Sequence, residues 1–262
     1  MTTYKALFLD IDGTILKPDH TFDPSTKEAI LQVQEQGIEV FLATGRPLHE
    51  EFELAKALNI HSYIGYNGAL AVHRGEVLVS ETIDPGTVHS FVDIAKKHNH
   101  EIGFYTSEKN FFTSLDDEYV QNFFNTLGFK QNHLFHKGIA DQILSITIMK
   151  IHNDDYQLYE VNPDFRFAVV NVDGLRNSYD LIQKSVNKGR AVQAVLSTLG
   201  IKPEQAIAFG DAMNDKEMLS LVGEGFAMGN AMPELLPFAK HQTTDVTDSG
   251  IFNGLQSLGL VK

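Results

Sequence analysis

The sequence predicts a doubly wound α/β core, built on a Rossmann-like parallel sheet and interrupted by an inserted α/β domain. Three observations lead there. Short apolar runs alternate with amphipathic stretches at both ends of the chain, the βα rhythm of a parallel sheet. That rhythm changes near Asp84 and returns by Asn187, so 1–83 and 185–262 read as one core split by a domain at 84–184. Polar clusters directly follow predicted core strands, at the sheet edge where ligands of such folds bind.

The elements can be justified in order. "ALFLD" at 6–10 is a short buried strand. In "DPSTKEAILQVQEQG", Asp23 can cap, Pro24 suits the first helical turn, Ala29, Ile30 and Val33 share a face, and Gly37 ends the helix. "IEVFLATG" is the next strand, "PLHEEFELAKALN" has helical spacing, and "SYIGYNG" completes a βαβαβ opening. "ALAVH" and "EVLVSETI" form a hairpin across Arg74 and Gly75.

In the middle third, "DPGTVHSFVDIAKKHNH" predicts a helix, "EIGFYTS" and "NFFTS" strands, and "DDEYVQNFFNTLG" a Phe-rich helix. "DQILSITIMKI" reads as one long strand, "DDYQLYEVN" as a helix, and "FRFAVVNV" and "SYDLIQ" as strands. The βα rhythm then resumes through "KGRAVQAVLSTLG", "AIAFG", "DKEMLSLVG", "GFAMG" and a last helix around "GIFNGLQSLG". Tyr119, Phe123 and Leu127 recur at helical spacing and read as core of the inserted domain.

Composition narrows the function. The chain has 262 residues, 43% of them hydrophobic, enough for a full core. Its formal charge of -13 opposes binding to nucleic acid or to an anionic membrane surface, both of which require dense positive charge. With no cysteine, disulfides, thiolate catalysis and Cys-ligated metals are excluded. The opening "MTTYKALFLDIDG" is too short and too charged for a signal peptide or membrane span, so cytoplasm is the default location.

The chemistry-bearing residues fall in the core. Asp10 and Asp12 lie two positions apart, so in a continuing strand both carboxylates aim at one small volume and repel. A bound cation relieves such a pair. "TGR" at 44–46, Lys188 and "GDAMND" at 210–215 add carboxylates, a hydroxyl, an amide and two cations, a set suited to a divalent metal and a phosphate. A hard cation such as Mg²⁺ takes oxygen ligands, here Asp10 and Asp211. Thr44 can donate to a phosphate oxygen, Gly45 lets the backbone approach it, and Asn214 can hydrogen-bond it. Lys188 offsets the phosphate and the clustered carboxylates, and Asp215 holds either Lys188 or a metal-bound water. Arg46 either touches substrate or pairs with a core carboxylate.

Plainer readings compete. A lone aspartate after a strand is usually a turn or cap residue, but four polar clusters at one sheet edge are not explained that way. "KKHNHE" at 96–101 reads as cations at a helix C-terminus rather than a metal site, and His133 and His136 give no stronger signal. Receiver domains use an aspartate, a metal, a Thr and a Lys on a similar sheet, but their phosphorylated aspartate follows the third strand, whereas Asp10 follows the first.

"DIDGT", "TGR", "NKGRAV" and "GDAMNDKEML" resemble, in order, the four motifs of the haloacid dehalogenase superfamily. The resemblance is to its Cof-like phosphatase branch, which carries a type IIB α/β cap after the second motif. "YNGA" at 66–69 is similar to a segment common in that branch, and the resemblance spans nearly the whole chain. It implies that Asp10 attacks phosphorus to form an aspartyl phosphate, which water then hydrolyses. Asp12 would protonate the leaving oxygen and then activate the water. The carboxylates of Asp10 and Asp211 and the carbonyl of Asp12 would hold Mg²⁺. Thr44, Gly45, Lys188 and Asn214 would bind phosphate, Asp215 would stand behind Lys188, and Arg46, Asn67 and Gly68 would lie near substrate. The presence of Asp12 favours phosphatases and phosphomutases over members that displace halide and over the ion-pumping ATPases. The expected partner is a small phosphorylated metabolite, with a phosphomutase of the same superfamily or a non-enzymatic phospho-ligand sensor as alternatives. Sugar phosphates, nucleotides, flavin mononucleotide and pyridoxal phosphate all fit, and oligomeric state is open. The crossings near 81–86 and 183–189 read as the hinges of a moving cap.

Overall fold

A computed structural model of the chain describes residues 3–50 and 52–262. β1 (Ala6–Leu9) has four buried apolar residues and no polar position, as a strand covered on both faces requires. In α1 (Pro24–Glu35), Asp23 accepts from the Ser25 amide, Pro24 opens the first turn, and Thr26, Ala29, Ile30 and Val33 are buried. β2 (Glu39–Ala43), α2 (Phe52–Ala57) and β3 (Ser62–Gly65) continue the opening. β4 (Leu70–His73) and β5 (Glu76–Ser80) follow, their turn placing Arg74 and Gly75 at positive φ as a tight hairpin demands.

The middle of the chain supplies α3 (Pro85–His98), β6 (Glu101–Tyr105), β7 (Asn110–Phe112), α4 (Glu118–Leu127), β8 (Asn132–Leu134) and β9 (Ser145–Met149). β10 (Phe165–Val169) and β11 (Tyr179–Gln183) complete it. The last third adds α5 (Lys188–Thr198), β12 (Ala206–Gly210), α6 (Lys216–Leu221), β13 (Glu224–Ala227), β14 (His241–Gln242) and α7 (Gly250–Ser257).

The chain divides into two units. The first holds residues up to Arg46, Glu51–Val79 and Asn187–Lys262; the second holds Ser80–Val186 together with Pro47–Glu50. The sequence reading placed the insert at 84–184 and did not anticipate the four residues after "TGR".

In the first unit the strand order is β14-β13-β12-β1-β2-β3-β4-β5, with β1 parallel to both β12 and β2. Successive β1 side chains serve opposite faces. Leu7 and Leu9 join Ile30, Val33, Leu42 and Leu255 on one face, and Ala6 and Phe8 join Phe41, Val192, Leu196 and Met218 on the other. Burial on both faces fixes the register, so the C-terminal end of β1, where Asp10 emerges, is a firmly held position.

In the second unit the order is β10-β11-β9-β6-β7-β8, antiparallel except for β7 beside β8. Ile102, Phe104, Ile146, Ile148 and Leu181 pack against Val88, Phe91 and Ala95 of α3. In α4 the buried residues are Val120 and Phe123, with Phe123 and Phe124 edge-on to Phe112 at 6.5 and 5.2 Å. Tyr119 reaches Ser178 through its hydroxyl at 2.9 Å.

Three expected elements are shorter than predicted. "DQILSITIMKI" is a strand only over Ser145–Met149, because its first two residues, Asp141 and Gln142, close a 3₁₀ segment, Lys137–Gln142. "DDYQLYEVN" reduces to a 3₁₀ turn at Asp155–Tyr159; Pro163 disfavours helix at the residue before it. The expected helix over 47–59 becomes a 3₁₀ turn, Leu48–Glu50, followed by α2. Among the described residues, no helix is long and apolar enough to cross a membrane.

Candidate active site

The first unit gathers an acidic cluster around one buried lysine. Asp10 follows β1 and is 6% exposed; Lys188, the first residue of α5, is fully buried. The turn into α5 is fixed by Asn187, whose side-chain oxygen accepts from the Arg190 amide at 2.9 Å. The Lys188 ammonium then donates to Asp10 Oδ1 at 2.5 Å and to Asp215 Oδ1 at 2.6 Å. The other oxygen of Asp215 accepts from the backbone amides of Asp211 and Ala212 at 3.1 and 3.2 Å. Asp215 therefore orients the lysine and the loop that carries Asp211.

Carboxylate oxygens of Asp10, Asp211 and Asp215 lie within 4.8 Å of one another. Three carboxylates and one ammonium leave two uncompensated negative charges in a buried space, a strong demand for a divalent cation. Burial pushes the Asp10 carboxyl well above the usual range, with Asp215 and Asp211 adding to the rise against the pull of Lys188. Asp211 is pushed up to about 6, by burial first and then by Asp215. Burial would lower Lys188, but its two carboxylate partners outweigh that and raise it. Since both oxygens of Asp215 are already engaged, Asp10 and Asp211 are the carboxylates best fitted to a metal.

The same shifts give a test. In metal-free protein Asp10 and Asp211 titrate higher when folded than unfolded, so the native form binds more protons between the two values. Stability is then present below the unfolded carboxylate pKa of about 4 and is lost as pH rises through the folded value, about 6 for Asp211. Mg²⁺ should raise the midpoint of thermal unfolding clearly at pH 8 and little at pH 5. Equal stabilisation at both would remove the carboxylates as its cause.

Asp12 faces different company. Its side chain is 53% exposed, and Arg46 holds it in a fork, Nε to Oδ2 at 2.7 Å and Nη2 to Oδ1 at 2.5 Å. Of the two readings of Arg46, pairing with a core carboxylate is the one the structure shows. The acidic triad thus contains Asp215 and not the Asp12 carboxylate, whose expected metal ligand was its backbone carbonyl.

The second-motif loop is built against "YNGA". Thr44 is buried, and its hydroxyl oxygen accepts from the Arg46 amide at 3.0 Å, which leaves the hydroxyl proton to donate elsewhere. The Thr44 carbonyl accepts from the Asn67 amide at 3.1 Å, and Asn214 donates its side-chain amide to Asn67 Oδ1 at 3.1 Å. A Cβ on Gly45 would sit 3.1 Å from the Asn67 amide group. Gly68, at φ +108°, could carry no side chain without striking the Asn187 carbonyl. Thr44, Gly45, Asn67, Gly68, Asn187 and Asn214 therefore form one connected surface in this unit.

Two residues escaped the sequence reading. Gly13 sits at φ +79°, and a Cβ there would run into Asp211 Oδ2. Asn230 donates to the Gly13 carbonyl at 2.8 Å and accepts from the Val246 amide at 2.9 Å, tying the first motif to the chain's last third. The glycine was visible inside "DIDGT"; nothing local marks Asn230.

The histidines that the sequence singled out in the second unit lie apart from this cluster. His100 meets the Tyr159 hydroxyl at 3.1 Å and lies 3.6 Å from Asp155. His133 and His136 flank Phe111 in a cavity of about 470 Å³, also lined by Thr106, Lys109 and Gln142 and by no residue of the four motifs. Among the described residues, only the aspartate triad groups three potential metal ligands.

The family profile of haloacid dehalogenase-like hydrolases matches residues 7–255, enclosing every motif above. The chain belongs to that family, in its phosphatase branch. Among its relatives, a protein of Bacillus subtilis (strain 168) provisionally named phosphatase YkrA is 29% identical over 261 residues, covering 98% of this chain and 99% of that one. The HMP-PP phosphatase of Cronobacter sakazakii (strain ATCC BAA-894) is 29% identical over 244 residues, covering 88% of this chain and 86% of the relative. A crystal structure of a hypothetical protein from Geobacillus kaustophilus HTA426 aligns with a TM-score of 0.91 at 30% identity, over 98% of this chain and all of the other. The sugar phosphatase BT4131, of HAD subclass IIB, aligns with a TM-score of 0.81 at 25% identity, over 98% of this chain and 100% of its own.

Proposed function

We propose that this hydrolase is a Mg²⁺-dependent phosphatase that releases phosphate from small phosphorylated metabolites through an aspartyl-phosphate intermediate. The observation that carries the reading is the buried Asp215–Lys188–Asp10 chain with Asp211 beside it. Lys188 occupies one oxygen of Asp10 and fixes the carboxylate's rotation, so the second oxygen is presented as the nucleophile. Asp10, Asp211 and the Asp12 carbonyl would hold Mg²⁺, which when bound would supply positive charge against the repulsion between carboxylate and phosphate.

In the first step the free oxygen of Asp10 bonds to phosphorus, the bond from phosphorus to the leaving oxygen breaks, and Asp12 gives that oxygen a proton. In the second, water attacks phosphorus, Asp12 takes its proton, and the Asp10–phosphate bond breaks to restore the carboxylate. Thr44, Lys188, Asn214 and the backbone at Gly45 bind the phosphoryl oxygens, with Asn67 and Gly68 holding that loop. Asp12 needs an oxygen free to carry a proton, so it must part from Arg46 during turnover.

The substrate class is left wide by the relatives, one named an HMP-PP phosphatase and another a sugar phosphatase. The inserted unit is the proposed cap that selects the leaving group, and the chain's acidity supports a cytoplasmic enzyme of metabolites over one acting on nucleic acid or membranes. The reading is tested by phosphate release with Mg²⁺ across a panel of sugar phosphates, nucleotides, pyrimidine and pyridoxal phosphates and flavin mononucleotide. Absence of release from every member at high enzyme concentration would sink it. On any substrate found, Asp12→Asn should lower kcat by about 100- to 10,000-fold with KM little changed, since contacts remain and the proton carrier is lost.

A further inference from the structure

Residues 47–50 leave the active-site loop and join the inserted unit, although Arg46 before them belongs to the catalytic one. They are held there by a buried polar network. Asn110 of β7 is fully buried, and its amide nitrogen donates to Glu50 Oε1 at 2.6 Å and to Asn132 Oδ1 at 3.2 Å. Its amide oxygen is 2.9 Å from His49 Nε2. Because the amide nitrogen already serves two acceptors, that oxygen must accept, which places a proton on His49 Nε2. Glu50 Oε1 accepts a second bond, from the Lys130 amide at 3.0 Å. His49 is 8% exposed, and burial lowers its pKa, which favours the neutral ring with one N–H.

Such a network is expensive to break, since each partner removed leaves buried polar groups unsatisfied. It grips a segment whose preceding residue forms the fork on Asp12. Pro47 restricts the backbone at the join, and only the peptide link Arg46–Pro47 separates anchor from guanidinium-bearing residue. A displacement of the inserted unit therefore pulls on Arg46 as well as on the crossings after Val79 and Val186.

We propose that His49, Glu50 and Asn110 are positioning residues that make the Arg46–Asp12 pair answer to the inserted unit, so that Asp12 is released to carry its proton only when that unit shifts. The inference rests on the phosphatase reading above. The network acts through Arg46 alone and touches neither phosphate nor metal. Cutting it leaves the fork on Asp12 indifferent to the inserted unit, so turnover slows while substrate binding is retained.

The test is a double-mutant cycle on the full-length enzyme with the best substrate from the panel. Glu50→Ala should lower kcat about 10-fold or more with KM within about threefold. Glu50→Gln keeps an oxygen where Asn110 and Lys130 need one and should retain most of the activity. In an Arg46→Ala background, whatever its own rate, Glu50→Ala should change kcat by less than about twofold. His49→Phe, which removes one donor and keeps a ring, repeats the cycle if Glu50→Ala does not fold. Losses that multiply in the double variants would show a merely structural role and overturn the inference. A wild type that releases no phosphate would instead overturn the functional reading on which it rests.

Discussion

Replacing Asp10 with asparagine should abolish turnover and leave a folded, more stable metal-free protein. The amide is a poor nucleophile, and loss of an activated nucleophile costs about 10,000-fold or more in kcat. Stability moves the other way because the wild-type carboxyl is buried among Asp211 and Asp215, and its upward shift means that ionising it at neutral pH costs folding free energy. Asparagine removes that charge and keeps the shape, and Lys188 retains Asp215 as its ion-pair partner at 2.6 Å. The gain is expected at pH 8 without metal, where burial and the neighbouring carboxylates oppose ionisation of the wild-type group against the pull of Lys188. It should vanish near pH 4, where the wild-type group is protonated. Chemical denaturation at the two pH values, beside a phosphate-release assay, measures both effects. Wild-type turnover in the purified variant would remove Asp10 as the nucleophile.

The catalytic core was legible because two independent signals agreed. Apolar runs such as "ALFL" and "AIAFG", set in a βα rhythm, read as doubly covered strands, and the polar residues directly after them fall at the sheet edge. Lys188 stood at the start of the expected helix "KGRAVQAVLSTLG", and α5 begins there behind the Asn187 cap. Gly13 and Asn230 were not legible in the same way. Gly13 is required by a contact with Asp211, nearly two hundred residues later, and Asn230 by a hydrogen bond across a similar distance. No local pattern encodes such partners.

The segment after "TGR" misled for a physical reason. "PLHEEFELAKALN" has helical spacing, and in isolation propensity favours one helix. Tertiary contacts override it: Asn110 and the Lys130 amide capture Glu50, and His49 is buried against Asn110, so the chain makes a 3₁₀ turn before α2 begins. In the inserted unit the two shortened elements follow the same logic. Asp141 and Gln142 open the apolar run "DQILSITIMKI" but finish a 3₁₀ segment that Ile139 and Ala140 anchor in the hydrophobic core. Arg46 was left between two roles because a guanidinium's partner depends on loop geometry, which a sequence does not state.

Lys188→Met should be the most destabilising single substitution in the active site. Methionine matches the length of the lysine stem, so packing against the buried start of α5 is nearly preserved and the lost charge dominates. Asp10 and Asp215 would keep their burial and lose their common cation, while Asp211 stays close by. Breaking a buried ion pair by removing one partner costs about 3–5 kcal/mol, a large part of the roughly 5–15 kcal/mol that holds a native protein together. The loss should be greatest near pH 8 and shrink below the value of about 6 to which Asp211 is pushed, because protonated carboxyls no longer repel. Adding Asp215→Asn to Lys188→Met should recover part of it, since one uncompensated charge leaves with the carboxylate and an asparagine can still accept from the Asp211 and Ala212 amides. Urea denaturation of the wild type and of the single and double variants at pH 8 and pH 5, without metal, gives the six free energies needed. If the single variant matched wild type at pH 8, Lys188 would not be the group that lets three carboxylates share this space.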